Sequence, residues 1–187
     1  MARLAIPTID QAPAKSQPIL QNYVKALGMV PNLFALISQS PDALKALTDM
    51  HATLGKSLGH QTRERIQVMT AEVNGCDYCL SAHTHLGGKL NGLTTEDMAL
   101  NRTGHSTDPK ADAALQFAYK VARSRGHVAT ADVEAVRAAG FSDAQIVDIV
   151  AEVGLGFITN LFNNTFDTDI DASFPPLKTR YDEKAAA

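Results

Sequence analysis

The chain has 187 residues, 45% of them hydrophobic and 20% charged, with a formal net charge of −3. Such a composition describes a soluble globular protein long enough to bury a sizeable core without crosslinks, and one compact domain over 1–187 is the expectation. No basic tract points to nucleic acid, the N-terminus lacks the apolar run of a signal peptide, and no eighteen apolar residues follow one another as a bilayer span requires. A cytoplasmic protein with no nucleic acid and no membrane as partners is expected.

Residues 1–15 carry Pro7 and Pro13 and read as an extended N-terminal arm, of a kind that often crosses onto a neighbouring subunit. Gln17 to Leu27 reads as a helix stopped by Gly28. Ser40-Pro41 opens another, in which Leu44, Leu47, His51, Leu54 and Leu58 keep helical spacing up to Gly59. Thr62 is the expected cap of a helix with an apolar stripe of Ile66, Met69 and Val73 that ends at Asn74-Gly75. Cys76 then stands near the start of a fresh helix running to about Leu90, where Asn91-Gly92 breaks it.

A short helix follows from Thr95 to Asn101, Asp108-Pro109 opens one that ends near Gly126, and Thr130 is the expected cap of one that stops at Gly140. Ser142 and Gln145 form a capping box for a long helix through about Phe162. Residues 175–187 read as a loose C-terminal tail. No run of strict apolar/polar alternation supports a sheet, so the fold class is all-α.

Residues 62–73 can be laid over 142–153, with caps, apolar positions and a closing Ala-Glu-Val in common. In the second copy the places of Glu64, Cys76, Cys79 and His83 fall on Ala144, Gly156, Thr159 and Asn163, as in a half-repeat without the chemistry.

The two cysteines are three residues apart and therefore no disulfide framework of a small secreted protein. On a helix Cys76, Cys79 and His83 share a face. An imidazole one turn after Cys79 can take the thiol proton or stabilise the thiolate, which favours Cys79 as nucleophile. The free amides and positive dipole end at a helix start favour Cys76 instead. A histidine base works best with a carboxylate on its second nitrogen. Glu64 and Glu72 on the preceding helix are both in reach, and spacing does not choose between them.

Other readings compete. A purely structural disulfide closing so short a loop contributes only roughly 2 kcal/mol. A zinc site could take Cys76, Cys79 and His83 with His85, His60 or a glutamate as fourth ligand. His85 reads as a surface residue, His51 as a satisfied core histidine, Tyr78 as either packing or site lining, and Gly154 and Gly156 as residues that permit close helix packing.

The run Glu64, eleven residues, Cys76-Asp77-Tyr78-Cys79, three residues and His83 resembles the AhpD-like proteins of the carboxymuconolactone decarboxylase superfamily, in the alkylhydroperoxidase or peroxidase-related branch. The resemblance extends from about Pro31 to Pro175 and includes Asn160-Leu161-Phe162-Asn163-Asn164 and Asp171-Ala172-Ser173-Phe174-Pro175. It implies an all-α, AhpD-like helical bundle with an internal helical repeat, assembled as a homo-oligomer, commonly a trimer or hexamer. It further implies a thiol-dependent peroxidase that reduces alkyl hydroperoxides or hydrogen peroxide with no bound cofactor, recharged by an external dithiol or lipoyl-type electron donor. In that scheme Cys79 attacks the peroxide, Cys76 resolves it, and His83 with Glu64 relays protons.

The pattern departs from alkyl hydroperoxidase D at Tyr78, where that protein has a histidine directly before the second cysteine. The decarboxylase branch lacks the cysteine pair, which argues against lactone decarboxylation. Two further expectations are a protein or lipoyl disulfide oxidoreductase without peroxidase activity, and a zinc-stabilised helical binding protein.

Overall fold

The computed structural model describes residues 2–180, and among them it has nine α-helices and no strand. They are α1 (Gln17–Leu27), α2 (Asn32–Ile37), α3 (Pro41–Leu58), α4 (His60–Val73), α5 (Asp77–Asn91), α6 (Thr95–Asn101), α7 (Pro109–Ser124), α8 (Thr130–Ala138) and α9 (Asp143–Phe166). The all-α reading holds.

Most of the helix starts follow from side-chain caps. The Ser40 hydroxyl accepts from Ala43 N–H at 3.4 Å ahead of Pro41, and the Asp108 carboxylate accepts from Ala111 N–H at 2.8 Å ahead of Pro109. At α9 the capping is reciprocal, with Gln145 N–H on Ser142 Oγ at 3.3 Å and Ser142 N–H on Gln145 Oε1 at 3.0 Å.

Four details differ from the sequence expectations. Thr62 caps nothing: α4 begins at His60 directly after Gly59, whose φ of 73° makes the sharp turn out of α3. Thr130 is the first residue of α8 rather than its cap, and Asp132 accepts the Ala129 N–H instead. The long helix continues one turn past Phe162, to Phe166. The sequence reading also missed α2, because Leu33 to Ile37 are all buried and a short helix buried on every side has no apolar stripe to detect.

α4 lies at the centre of the fold. Its residues Arg65 to Ala71 are all buried, so it is apolar on two sides rather than one. Val68 and Ala71 join a cluster with Leu20, Leu36, Leu44, Cys76, Cys79 and Phe174, whereas Ile66 and Met69 join a second with Leu115, Phe117, Val136 and Ile149. The cysteine pair therefore sits in the core built by the two ends of the chain.

α9, although long and apolar enough by length and composition to cross a membrane, packs against α3, α4, α7 and α8. The N-terminal arm lies along its own chain. Arg3 N–H donates to Phe166 O at 2.7 Å and the Arg3 guanidinium to Thr165 O at 2.7 Å, placing a cation on the C-terminus of α9.

The tail is not loose over its described part. Leu177 N–H donates to Ser81 Oγ at 2.8 Å, Thr179 N–H to Asp77 Oδ1 at 2.8 Å and Arg180 N–H to Glu72 Oε1 at 2.7 Å. These bonds strap the segment across the start of α5, and the rest of the expected tail, 181–187, lies outside the described residues.

Candidate active site

The chain leaves α4 through Asn74 and Gly75, whose φ of 66° reverses it within two residues. Cys76 then takes the N-cap of α5 in an extended conformation, and its Sγ accepts the Cys79 N–H at 3.2 Å, one of the amides that a helix start leaves free. Cys76 and Cys79 are joined as a disulfide with Cα atoms 5.4 Å apart. Cys76 is fully buried. Cys79 is only 2% exposed, yet it borders a cavity of about 210 Å³ that Cys76 does not line.

The same cavity is lined by His83 and Glu64, whose Nδ1 and Oε2 lie 2.9 Å apart. A carboxylate on Nδ1–H leaves Nε2 as the bare, basic nitrogen. Glu72 does not share this role: its carboxylate accepts from Arg102 Nε at 2.7 Å and from Arg180 N–H, away from the cavity. Eight residues are a little over two turns of α4, and the remainder of the rotation lets Glu64 and Glu72 face different neighbours.

One side of the cavity is apolar, with Tyr23, Leu27, Leu33, Phe34, Leu86 and Phe174 among its walls. The rings of Tyr23 and Phe34 stack with centroids 4.1 Å apart. The lining also holds an ionic group: the fully buried Glu152 accepts from Arg63 Nε at 3.3 Å and Gln67 Nε2 at 2.7 Å.

His51 lines this cavity too, its ring set edge-on to Phe34, and its Nε2 is buried with no protein partner. It is thus not the satisfied core histidine expected from the sequence. Burial, aided by the neighbouring His83 and Arg63, pushes its pKa down to about 3, so it is neutral at physiological pH.

Tyr78 both packs and lines the site. Its hydroxyl donates to Asp171 Oδ2 at 2.6 Å and accepts from Leu33 N–H at 3.2 Å, and Asp171 also accepts the Asn32 N–H at 3.1 Å. Burial raises the pKa of Tyr78, with Asp171 adding to it, and burial also raises that of Asp171. Where a histidine could serve as a base, this tyrosine ties α2 and the 171–174 segment to the dithiol helix.

His85 leans on the Phe174 ring at 5.5 Å and is not among the cavity's lining residues; His60 is exposed. Among the described residues no three His, Cys, Asp or Glu side chains converge as a metal site would require, so the zinc reading has no donor set there. Of the two glycines, only Gly156 permits close packing: a Cβ there would stand 2.8 Å from both Gln67 Oε1 and Thr70 Cγ2, whereas one at Gly154 meets nothing.

The residue that sequence reasoning missed most clearly is Asn163, whose Nδ2 donates to Cys79 Sγ at 3.1 Å. The half-repeat overlay carried the signal, since it set Asn163 opposite His83, but it read the second copy as silent. Arg63, Gln67 and Glu152 were missed as well; an Arg and a Gln four apart on a helix mark a shared face without showing what faces it.

Comparison with known proteins finds relatives of the fold. The model of the carboxymuconolactone decarboxylase family matches residues 41–124, from α3 through α7. No curated protein matches the chain. A peroxidase-related protein from Silicibacter sp. TM1040 is 29% identical with a TM-score of 0.82, over 92% of this chain and 93% of that one. An alkylhydroperoxidase AhpD core protein from Ralstonia eutropha JMP134 is 28% identical with a TM-score of 0.80, over 91% and 93%. The debrominase Bmp8 shares the fold at 20% identity and a TM-score of 0.74, over 91% of each chain. Residues 41–124 thus match the carboxymuconolactone decarboxylase family, and the fold over nine-tenths of the chain is similar to that of AhpD-like, peroxidase-related proteins.

Proposed function

We propose that this protein is a thiol-dependent peroxidase that reduces organic hydroperoxides or hydrogen peroxide through a Cys76/Cys79 dithiol cycle. The observation that carries the reading is the division of labour at the cavity: Cys79 borders it together with the paired His83 and Glu64, while Cys76 lies buried behind. The reduced Cys79 thiolate attacks one peroxide oxygen, the O–O bond breaks, and the leaving alkoxide takes a proton through His83 and Glu64. Cys76 then attacks the sulfenic acid, the S–O bond breaks, and the disulfide forms with loss of water. An external dithiol, such as a lipoyl-type donor, returns two electrons and two protons and leaves as its own disulfide.

The apolar wall from Tyr23 to Phe174 supports an organic hydroperoxide as substrate. The activity is that of an antioxidant oxidoreductase, and a dithiol that must be re-reduced suits the cytoplasm. Val147, Val150, Ile158 and Leu161, exposed along one stripe of α9, support a homo-oligomer, a trimer or hexamer by likeness to the family.

The test is peroxide consumption with dithiothreitol or dihydrolipoamide as donor. The wild-type chain should consume cumene hydroperoxide and Cys79→Ser should fall to background, a loss of at least about a hundredfold. No consumption by the wild type with either donor overturns the reading, and disulfide exchange without peroxide consumption would replace it by a disulfide oxidoreductase.

A further inference from the structure

We propose that Asn163 is a catalytic residue of this site, the side chain whose amide N–H holds the Cys79 thiolate and sets its reactivity. The proposal rests on the reading of Cys79 as the reacting thiol, but not on the identity of the oxidant.

Each sulfur of the pair has one N–H donor. Cys76 Sγ accepts the Cys79 backbone N–H at 3.2 Å, and Cys79 Sγ accepts Asn163 Nδ2–H at 3.1 Å. Sulfur in a disulfide or a thiolate only accepts, so the carboxamide must present its nitrogen; the reverse orientation would set the Oδ1 lone pairs against sulfur electrons.

The donor is also held in place. Asn74 Nδ2 donates to Asn160 Oδ1 at 2.8 Å, and Asn164 Nδ2 donates to Asn74 O at 2.9 Å. These bonds clamp the turn of α9 that bears Asn163 onto the α4–α5 break that bears the cysteines. Asn163 itself is 2% exposed, its Oδ1 has no protein partner, and it lines a polar cavity of about 470 Å³ together with Asn74, Asp77 and Thr168.

The ionisable groups that share the cavity with Cys79 are Tyr23 from α1, His51 from α3, Arg63 and Glu64 from α4, Tyr78 and His83 from α5, and Glu152 from α9. Among the described residues none of them hydrogen-bonds its sulfur, and Asn163 does. Hydrogen bonding to the charged form of a group favours that form. Asn163 therefore favours the thiolate, making the thiol more acidic when Cys79 is reduced, and stabilises Cys79 when it departs as a thiolate from the opened disulfide.

The test uses the full chain with Cys76→Ser, which leaves Cys79 as the single thiol, and measures its alkylation by iodoacetamide against pH together with the ultraviolet absorbance of the thiolate. Adding Asn163→Ala should move the titration midpoint up by about one unit and slow alkylation at neutral pH about tenfold. Asn163→Asp, which keeps the shape but aims a carboxylate at the sulfur, should move it further in the same direction. Circular dichroism identifies which variants are folded, and either one decides the question. A folded variant whose profile coincides with that of the parent overturns the proposal. No peroxide enters the measurement, so the expected shift in a chain that consumes no peroxide would keep Asn163 and remove the peroxidase reading.

Discussion

The two stretches that align in sequence, 62–73 and 142–153, part ways at the residue after their shared Ala-Glu-Val. The first turns at Asn74-Gly75 and restarts as α5, while the second runs straight through Gly154 as the unbroken α9. The break creates a helix start, with free amides, at the very position where Cys76 and Cys79 stand. The unbroken copy has no free amides at that point and carries no chemistry of its own. It faces the chemistry instead: opposite Cys76, Cys79 and His83 in the alignment are Gly156, which lets α4 approach, Thr159, which lines the cavity, and Asn163, which bonds Cys79. One short interruption separates the helix that bears the cysteine pair from the one that supports it.

The glutamates that close the two copies give the sharpest contrast. Glu152 is fully buried between Arg63 and Gln67, whereas Glu72 sits nearer the surface with Arg102 and the backbone of Arg180. Glu152→Ala leaves the Arg63 guanidinium without its counter-charge inside the fold and should cost about 3–5 kcal/mol in urea unfolding. Glu72→Ala should lose less than half of that. Equal losses would show that the two copies share their burden and would break the comparison.

The two glycines of α9 make the next test. Gly156→Ala pushes a methyl group into Gln67 Oε1 and Thr70 Cγ2 and should destabilise by about 1–3 kcal/mol. Gly154→Ala enters open space and should be neutral or stabilise by up to about 1 kcal/mol, because alanine favours the helix. Thermal unfolding of the pair measures the difference directly. A harmless Gly156→Ala would mean that α4 and α9 are not held as closely as Asn163 requires.

What could be read from the sequence divides along physical lines. Helix starts with a side-chain cap, at Ser40, Asp108 and Ser142, were legible because cap and capped amide are three residues apart. The start of α4 was not, since Gly59 turns the chain by its backbone angle and leaves Thr62 as a decoy. Cys76, Cys79 and His83 were legible because they share one turn-spaced face; the structure sets Cys79 and His83 with Glu64 at one cavity and joins Cys76 to Cys79 behind it. Asn163, His51 and Glu152 come from α9 and α3, far away in sequence, and their roles depend on which turn of α9 passes the α4–α5 break. That register is a property of packing between α4 and α9, which no local pattern encodes.

The smallest expected effect concerns what pins the start of α5. Asp77 has Phe157 as its counterpart in the unbroken copy, so only the broken copy can hold the 175–180 strap by a carboxylate. Asp77 Oδ1 accepts from Thr179 N–H and Oγ1, and Oδ2 accepts from Lys178 Nζ at 2.7 Å. Burial alone would raise the Asp77 pKa, but the bonds from Lys178 and Thr179 outweigh it and hold it below the usual carboxylate value. A folded-state pKa that is lowered contributes stability above the unfolded-state value, and that contribution is lost as the pH falls through the folded-state value. The strap should therefore open under acid. Asp77→Asn should reproduce that release at neutral pH, speeding hydrogen exchange at the Thr179 amide several-fold while changing global stability by less than about 1 kcal/mol, since the Lys178 side chain is 86% exposed and its ion pair is screened. Unchanged exchange at Thr179 would mean that Leu177 on Ser81 and Arg180 on Glu72 carry the strap without Asp77.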